Sequence, residues 1–208
     1  MKRILLLCLL VLWSCHETVG QTSGSRLSKV SSPEKWWVIW HPFKAKRALD
    51  ISLTTLKITD SVGNTGMIGK DINGGHLDAF KHCYWMLALS KEIGEPAALK
   101  LGRAHEKGNF KAYKKRRLED GHLPDSPASE MDLHNNKIGA SLAKEHAVSE
   151  ETQMVKLVIQ ALKAGKLMIL RKKGSDFLTC EGRVIPRDSL RGKWYNEKCL
   201  IPSDQGSY

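Results

Sequence analysis

The sequence predicts a mainly α-helical, compact domain of four to five helices with a small C-terminal β element. Three observations carry this. Between Leu77 and Gly165 the apolar residues recur at helical spacing in four successive segments. Gly94, Pro96, Pro127 and Gly165 stand where those segments start or stop. After Gly165 the pattern changes to short apolar runs separated by Gly and Pro, "KLMILRKKGSDFLTCEGRVIPRD", which read as two or three small strands. With 208 residues, 41% hydrophobic and 26% charged, the chain can bury one sizeable core, so a single domain is expected over 34–205.

The first residues lie outside that domain. "MKRILLLCLLVLWSC" has a positive start at Lys2 and Arg3, then an apolar run from Ile4 to Trp13. About ten apolar residues are too few to span a bilayer and suit the h-region of an export signal over 1–14. Leu12-Trp13-Ser14-Cys15 resembles the lipobox of bacterial lipoproteins, in which the cysteine is diacylated and becomes the new N-terminus. Trp13 is bulkier than usual there, and ordinary signal cleavage is the alternative. Residues 15–33 are rich in Ser, Thr and Gly and read as a flexible tether. The expected layout is an exported, lipid-anchored domain of the bacterial cell envelope, at the outer membrane or cell surface.

The formal charge is +11, and removing residues 1–14 deletes Lys2 and Arg3 and no acid, leaving 11 − 2 = +9. Such a surface attracts anionic lipid headgroups, polyanionic glycans or nucleic acid, and charge alone does not choose among them. The basic run Lys111 to His122 reads as a solvated helix end or loop. Cys180 and Cys199 bracket a short segment and could pair in an oxidising compartment, whereas Cys83 reads as a buried small hydrophobe.

The folded part opens on "PEKWWVIWHPFKAKRALDISL", where Pro42 suits a helix's first turn. Trp36, Trp37 and Trp40, just before it, are expected to pack across the mouth of the core; a membrane-contacting rim is the alternative. The glycines of Asp60–His76 predict a loop. That loop matches neither a phosphate-binding loop, since Gly63 and Gly69 have five residues between them and Asp71 follows Lys70, nor a calcium loop, since Gly75 and His82 fall at its fifth and twelfth positions. Helices then follow over about Leu77–Glu92, from Pro96 past His105, from Pro127 or Ser129 to Glu145, and from Ser149 towards Gly165. The motif core spans 41–143, and the C-terminal helix and strands 149–205.

At about 100° per residue, Leu77, Phe80, Cys83, Tyr84 and Leu87 share one face of the first of these helices, and Asp78, His82, Trp85 and Leu89 the other. A helix apolar on both faces is central, so Asp78 and His82 are buried and need partners. His105 lies on the apolar stripe of the next helix, beside Glu106. The third carries Asp132, His134, Asn135 and Asn136, with Gly139 allowing a neighbour to approach closely.

Histidines and carboxylates one turn apart on several helices are what a bundle-core metal site uses. Asp78, His82, His105 and Asp132 are the candidate ligands, for zinc first, or for iron or manganese. Glu106 is a candidate base, and His134, Asn135 and Asn136 orienting or substrate-contacting groups. Two other readings stand: a metal-free site with His82 or His105 as base oriented by Asp78 or Asp132, and a buried network that only fixes helix register.

The ordered series "HPFKAKRA", "DAFKHCYW", "RAHE" and "MDLHNNKIGASLA" resembles an uncharacterised family of bacterial secreted and surface-associated domains. The resemblance covers about His41–Ala143 and maps the family's polar motif positions onto Asp78, His82, His105, Glu106, Asp132, Asn135 and Asn136. It implies a shared site and no particular activity. A looser, fold-level likeness to helical zinc phospholipases C lacks their N-terminal tryptophan ligand and histidine spacing. The function expected from the residues is an envelope-anchored hydrolase with a buried His/Asp site, using zinc or another divalent metal and acting on a phosphoester such as a phospholipid or nucleic acid. Its rival is a lipid-anchored binding or assembly module with a structural polar interior.

Overall fold

The computed structural model describes residues 30–119 and 121–206, and the core lies within one compact unit, Ser31–Tyr208. Ser31 starts the first helix, α1 (Ser32–Trp40), through a reciprocal cap: its Oγ accepts from the Glu34 amide, and Glu34 Oε2 accepts from the Ser31 amide. His41 breaks the chain direction, and Pro42 opens α2 (Pro42–Thr65). A loop leads to α3 (His76–Ile93), then α4 (Glu95–Lys114), α5 (Ser126–Glu145) and α6 (Glu151–Lys163). The tail adds β1 (Met168–Leu170), β2 (Lys172–Lys173), β3 (Asp176–Phe177), the single turn α7 (Arg187–Leu190) and β4 (Leu200–Pro202). This is the mainly α fold expected, with the β element at the C-terminal end.

α3 is the central helix. Ala79, Phe80, Cys83, Met86, Leu87 and Leu89 are fully buried, and only Lys81, Trp85, Lys91 and Glu92 reach beyond the core. It packs against α2, α4, α5 and α6. A helix enclosed on so many sides has no wet face to which a polar residue can turn, which is why Asp78 and His82 end inside. The closest approach is to α5, where Gly139 lies against the Cys83 carbonyl so tightly that any Cβ would overlap it.

Two expectations are corrected. The Asp60–His76 segment is not wholly a loop, because α2 continues through Gly63 to Thr65 before the left-handed Gly66 ends it. Glycine inside a helix costs about 1 kcal/mol relative to alanine, but here the missing Cβ makes room for the Leu77 side chain, and tertiary packing outweighs propensity. The tryptophans also separate. They lie on α1, and only Trp37 enters the core, with its Nε1 donating to the Ala97 carbonyl at 3.0 Å. Trp36 and Trp40 are 60% and 75% exposed.

The tail folds back across the helices as two antiparallel pairs, β1 with β4 and β2 with β3. Cys180 and Cys199 are disulfide-bonded, with Cα atoms 4.9 Å apart. Lys198, next to that bridge, forms a buried ion pair with Asp125, whose other oxygen caps α5 by accepting from the Ala128 amide. The C-terminal segment is thereby held against the start of α5.

Candidate metal centre

Asp78, His82 and Asp132 converge as a buried group in which one potential ligand atom from each lies within 4.8 Å of the others. Asp78 and His82 come from successive turns of α3, and Asp132 from α5, which crosses α3 at close range because of Gly139. His82 Nε2 is 3.3 Å from Asp132 Oδ1 and 3.6 Å from Asp78 Oδ1. Asp78 is oriented by two neighbours: Gly74 N–H donates to its Oδ2 at 2.8 Å, and the Lys81 ammonium pairs with its Oδ1 at 2.9 Å.

The electrostatics suit metal ligation. Burial, then the nearby Lys81 and His105 cations, holds His82 well below its ordinary pKa, so its imidazole is neutral. Burial, then the Asp78 and Glu106 charges, pushes Asp132 well above the carboxylate range. Asp78 pairs with the Lys81 ammonium, whereas burial favours the neutral form of Asp132. Asp132 Oδ1 has no aligned hydrogen-bond donor although it is buried, despite its proximity to His82 Nε2. A buried oxygen left without a donor costs about 1–3 kcal/mol, and a cation would satisfy it. Asn136 faces the same imidazole, and neither its amide nor His82 Nδ1 completes a well-aligned hydrogen bond. Nε2 is turned to the two carboxylates, as in a metal-bound histidine, and Nδ1 is buried without a partner. The three residues fit a divalent cation.

His105 is held elsewhere. Its Nδ1 lies 3.1 Å from Glu34 Oε1 and its Nε2 2.9 Å from Glu119 Oε1, so both nitrogens are engaged by carboxylates. Burial would lower its pKa, but the Glu119 and Glu34 hydrogen bonds outweigh that and raise it well above the ordinary value. His105 is therefore an imidazolium beside the ligand group, its ring centroid 6.2 Å from that of His82.

The remaining sequence candidates divide. Glu106 is buried and accepts from Ser129 Oγ and Asn109 Nδ2, with burial as the chief cause of its raised pKa. Asn135 pins the β element: its Nδ2 donates to the Met168 carbonyl at 3.0 Å and its Oδ1 accepts from the Met168 amide at 2.9 Å. His134 points away from the centre, its Nε2 against the Lys166 carbonyl. Asn135 and His134 hold architecture at these contacts, whereas Asn136 faces the ligand group.

Sequence reading missed Lys81, Glu34 and Glu119. Lys81 carried a signal, one turn from Asp78 on the same helix. Glu34 carried only a capping-box signal, and Glu119 lies in an irregular segment with none.

The ligand group lies beside a cleft of about 50 Å³ lined also by Asn73, Glu119, His122 and Lys198. Lys81, His82 and Glu119 form a common wall with a second cavity of about 230 Å³, lined by Thr55, Leu56, Trp85 and His105. Asn73 and His122 are shared with a groove of about 620 Å³ that reaches Lys172, Phe177 and Arg187. The centre thus lies between an aromatic cavity and a polar groove.

Comparison with protein families gives a match over residues 35–166 to a domain of unknown function, DUF6973. The chain belongs to this family. The DUF6973 match spans α1 to the end of α6 and includes all three candidate ligands. No curated protein and no solved structure is similar to the chain. For this DUF6973 protein the functional reading therefore rests on the chemistry of the buried group.

Proposed function

We propose that this DUF6973 protein is an envelope-anchored, metal-dependent hydrolase of phosphoesters, with Asp78, His82 and Asp132 as metal ligands. The observation that carries the proposal is Asp132 Oδ1, buried beside a neutral imidazole and a second carboxylate and lacking a donor. A divalent cation held there would supply Lewis acidity and bring the pKa of water to about 7. The chain's own groups have separable tasks. Lys81 and the His105 imidazolium present positive charge beside the centre, suited to the negative charge of a phosphoester. Trp85 and Leu56 give the neighbouring cavity an apolar wall for an organic substituent. Glu119, half-buried and paired with His105 Nε2, holds that imidazolium in orientation. Anchoring through Cys15 and the net positive charge favour phospholipid or another envelope polyanion as substrate.

One observation favours the rival reading, a binding or assembly module. Asn135 and His134, from the same polar motif, make only architectural contacts to the tail. Metal analysis separates the two. The protein purified without a chelating tag is expected to contain near-stoichiometric zinc or another divalent metal, and folded Asp132→Asn and His82→Ala variants to lack it. Metal-loaded protein is then expected to hydrolyse an activated phosphodiester, with Asp132→Asn inactive. Absence of bound metal after reconstitution with zinc, manganese and iron would overturn the metal reading.

A further inference from the structure

The outer side of α1 is a continuous apolar stripe. Trp36, Ile39 and Trp40 follow at i, i+3 and i+4 on α1, Phe43 stands in the first turn of α2 just past the corner, and they are 60%, 61%, 75% and 99% exposed. Isolated exposed hydrophobes are ordinary, but four large ones within eight residues at one corner mark a contact surface. Two of them are tryptophan, whose amphipathic ring suits the boundary between headgroups and acyl chains.

Charge points to the same occupant. Glu34, the one acid within α1, turns inward onto His105, so the stripe itself carries no negative charge. Lys35 and Lys46 are exposed beside it. The basic end of α4 adjoins the start of α1: Lys111 Nζ donates to Ser32 Oγ at 2.9 Å, and Gly108 abuts Ser31. Lys107 and Lys111 are thus exposed on the turns of α4 that meet this point, and Lys114 and Lys115 follow at its C-terminal end. The start of the folded unit is sixteen residues after Cys15 in the chain. An anchored domain would hold this end within reach of the bilayer.

We propose that the Trp36–Ile39–Trp40–Phe43 stripe and its flanking lysines form a docking face for an anionic lipid bilayer, which sets the orientation of the domain on the membrane. The face stands independently of the metal centre, and only the reach argument rests on anchoring through Cys15.

The test uses residues 16–208, which keep the whole described core and lack the lipidation site. Binding to vesicles of phosphatidylcholine, with and without phosphatidylglycerol, is measured by cosedimentation for the wild type and for Trp36→Ser/Trp40→Ser/Phe43→Ser, whose exposed positions leave the core intact. The expected result is binding that requires phosphatidylglycerol, weakens with salt and falls at least about tenfold in the triple variant. A Lys35→Glu/Lys46→Glu variant is expected to lose binding without losing helicity. Equal binding by wild type and triple variant, or no binding at either composition, overturns the proposal. So does self-association of the wild type that the triple variant abolishes, since a second copy would then cover the stripe.

Discussion

Among single residues, His105 and Glu34 illustrate how a pair sets stability against pH. Burial alone would raise Glu34, but the His105 imidazolium and the Ser31 cap hold it at about 2 against an ordinary 4.5. A carboxylate held down in this way contributes stability that is complete above 4.5 and lost as pH falls towards 2. His105, held above its ordinary 6.5, contributes stability that is complete below 6.5 and lost as pH rises through its elevated value. The difference in urea-unfolding free energy between wild type and His105→Gln is therefore expected to be greatest between about pH 4.5 and 6.5 and to shrink on both sides. A difference that does not vary with pH would show that the glutamates do not charge the ring. Asp132→Asn keeps the side chain's shape and removes the cost of holding a carboxyl protonated in the fold at a pH where the unfolded chain ionises it. In chelator, at neutral pH, the variant is expected to be more stable than wild type by about 1–2 kcal/mol, because its amide gives up no ionisation on folding. Metal added to both should reverse that order. The residue types of the site were legible in sequence, because an acid and a histidine on a helix apolar on both faces had nowhere else to go. The fate of His105 was not, since Glu34 and Glu119 reach it from segments whose sequence patterns advertise only a cap and a loop.

Among elements, the contact of α3 with α5 governs the geometry. Gly139 lets α5 lie against the α3 backbone at Cys83, which is what carries Asp132 to His82. Gly139→Ala places a methyl on a carbonyl that cannot move aside, and is expected to cost about 3 kcal/mol or more in thermal unfolding, despite alanine's better helix propensity. Loss of metal binding should exceed the loss of stability, because a small separation of the helices breaks a three-ligand set. Helix starts and stops were readable from prolines, glycines and caps, whereas the passage of α2 through Gly63 was not. Its glycine is explained by Leu77, a residue on another helix.

For the whole molecule, the tail acts as a clasp. The disulfide closes a loop across 19 positions, next to the Lys198–Asp125 pair and the strands pinned by Asn135. Reduction is expected to lower stability by about 3 kcal/mol on the chain-entropy account. Amide exchange should accelerate first in 168–202, with α3 protected longest. Equal acceleration in α3 would mean that tail and helices unfold as one unit. Because Lys198 lines the cleft at the ligand group, reduction is also expected to weaken metal retention.

The sequence by itself determined the helices α3 to α6, a β element after them and the burial of Asp78, His82 and Asp132, but not α1 or the last turns of α2, because periodicity and capping are local and a buried polar residue stands out against an apolar stripe. Tertiary structure alone decided which of those residues meet. Helix rotation and crossing distance act between positions far apart in the chain. They brought Asp132 to His82, gave His105 to two glutamates, set Asn135 against the tail and left Trp36 and Trp40 facing outward.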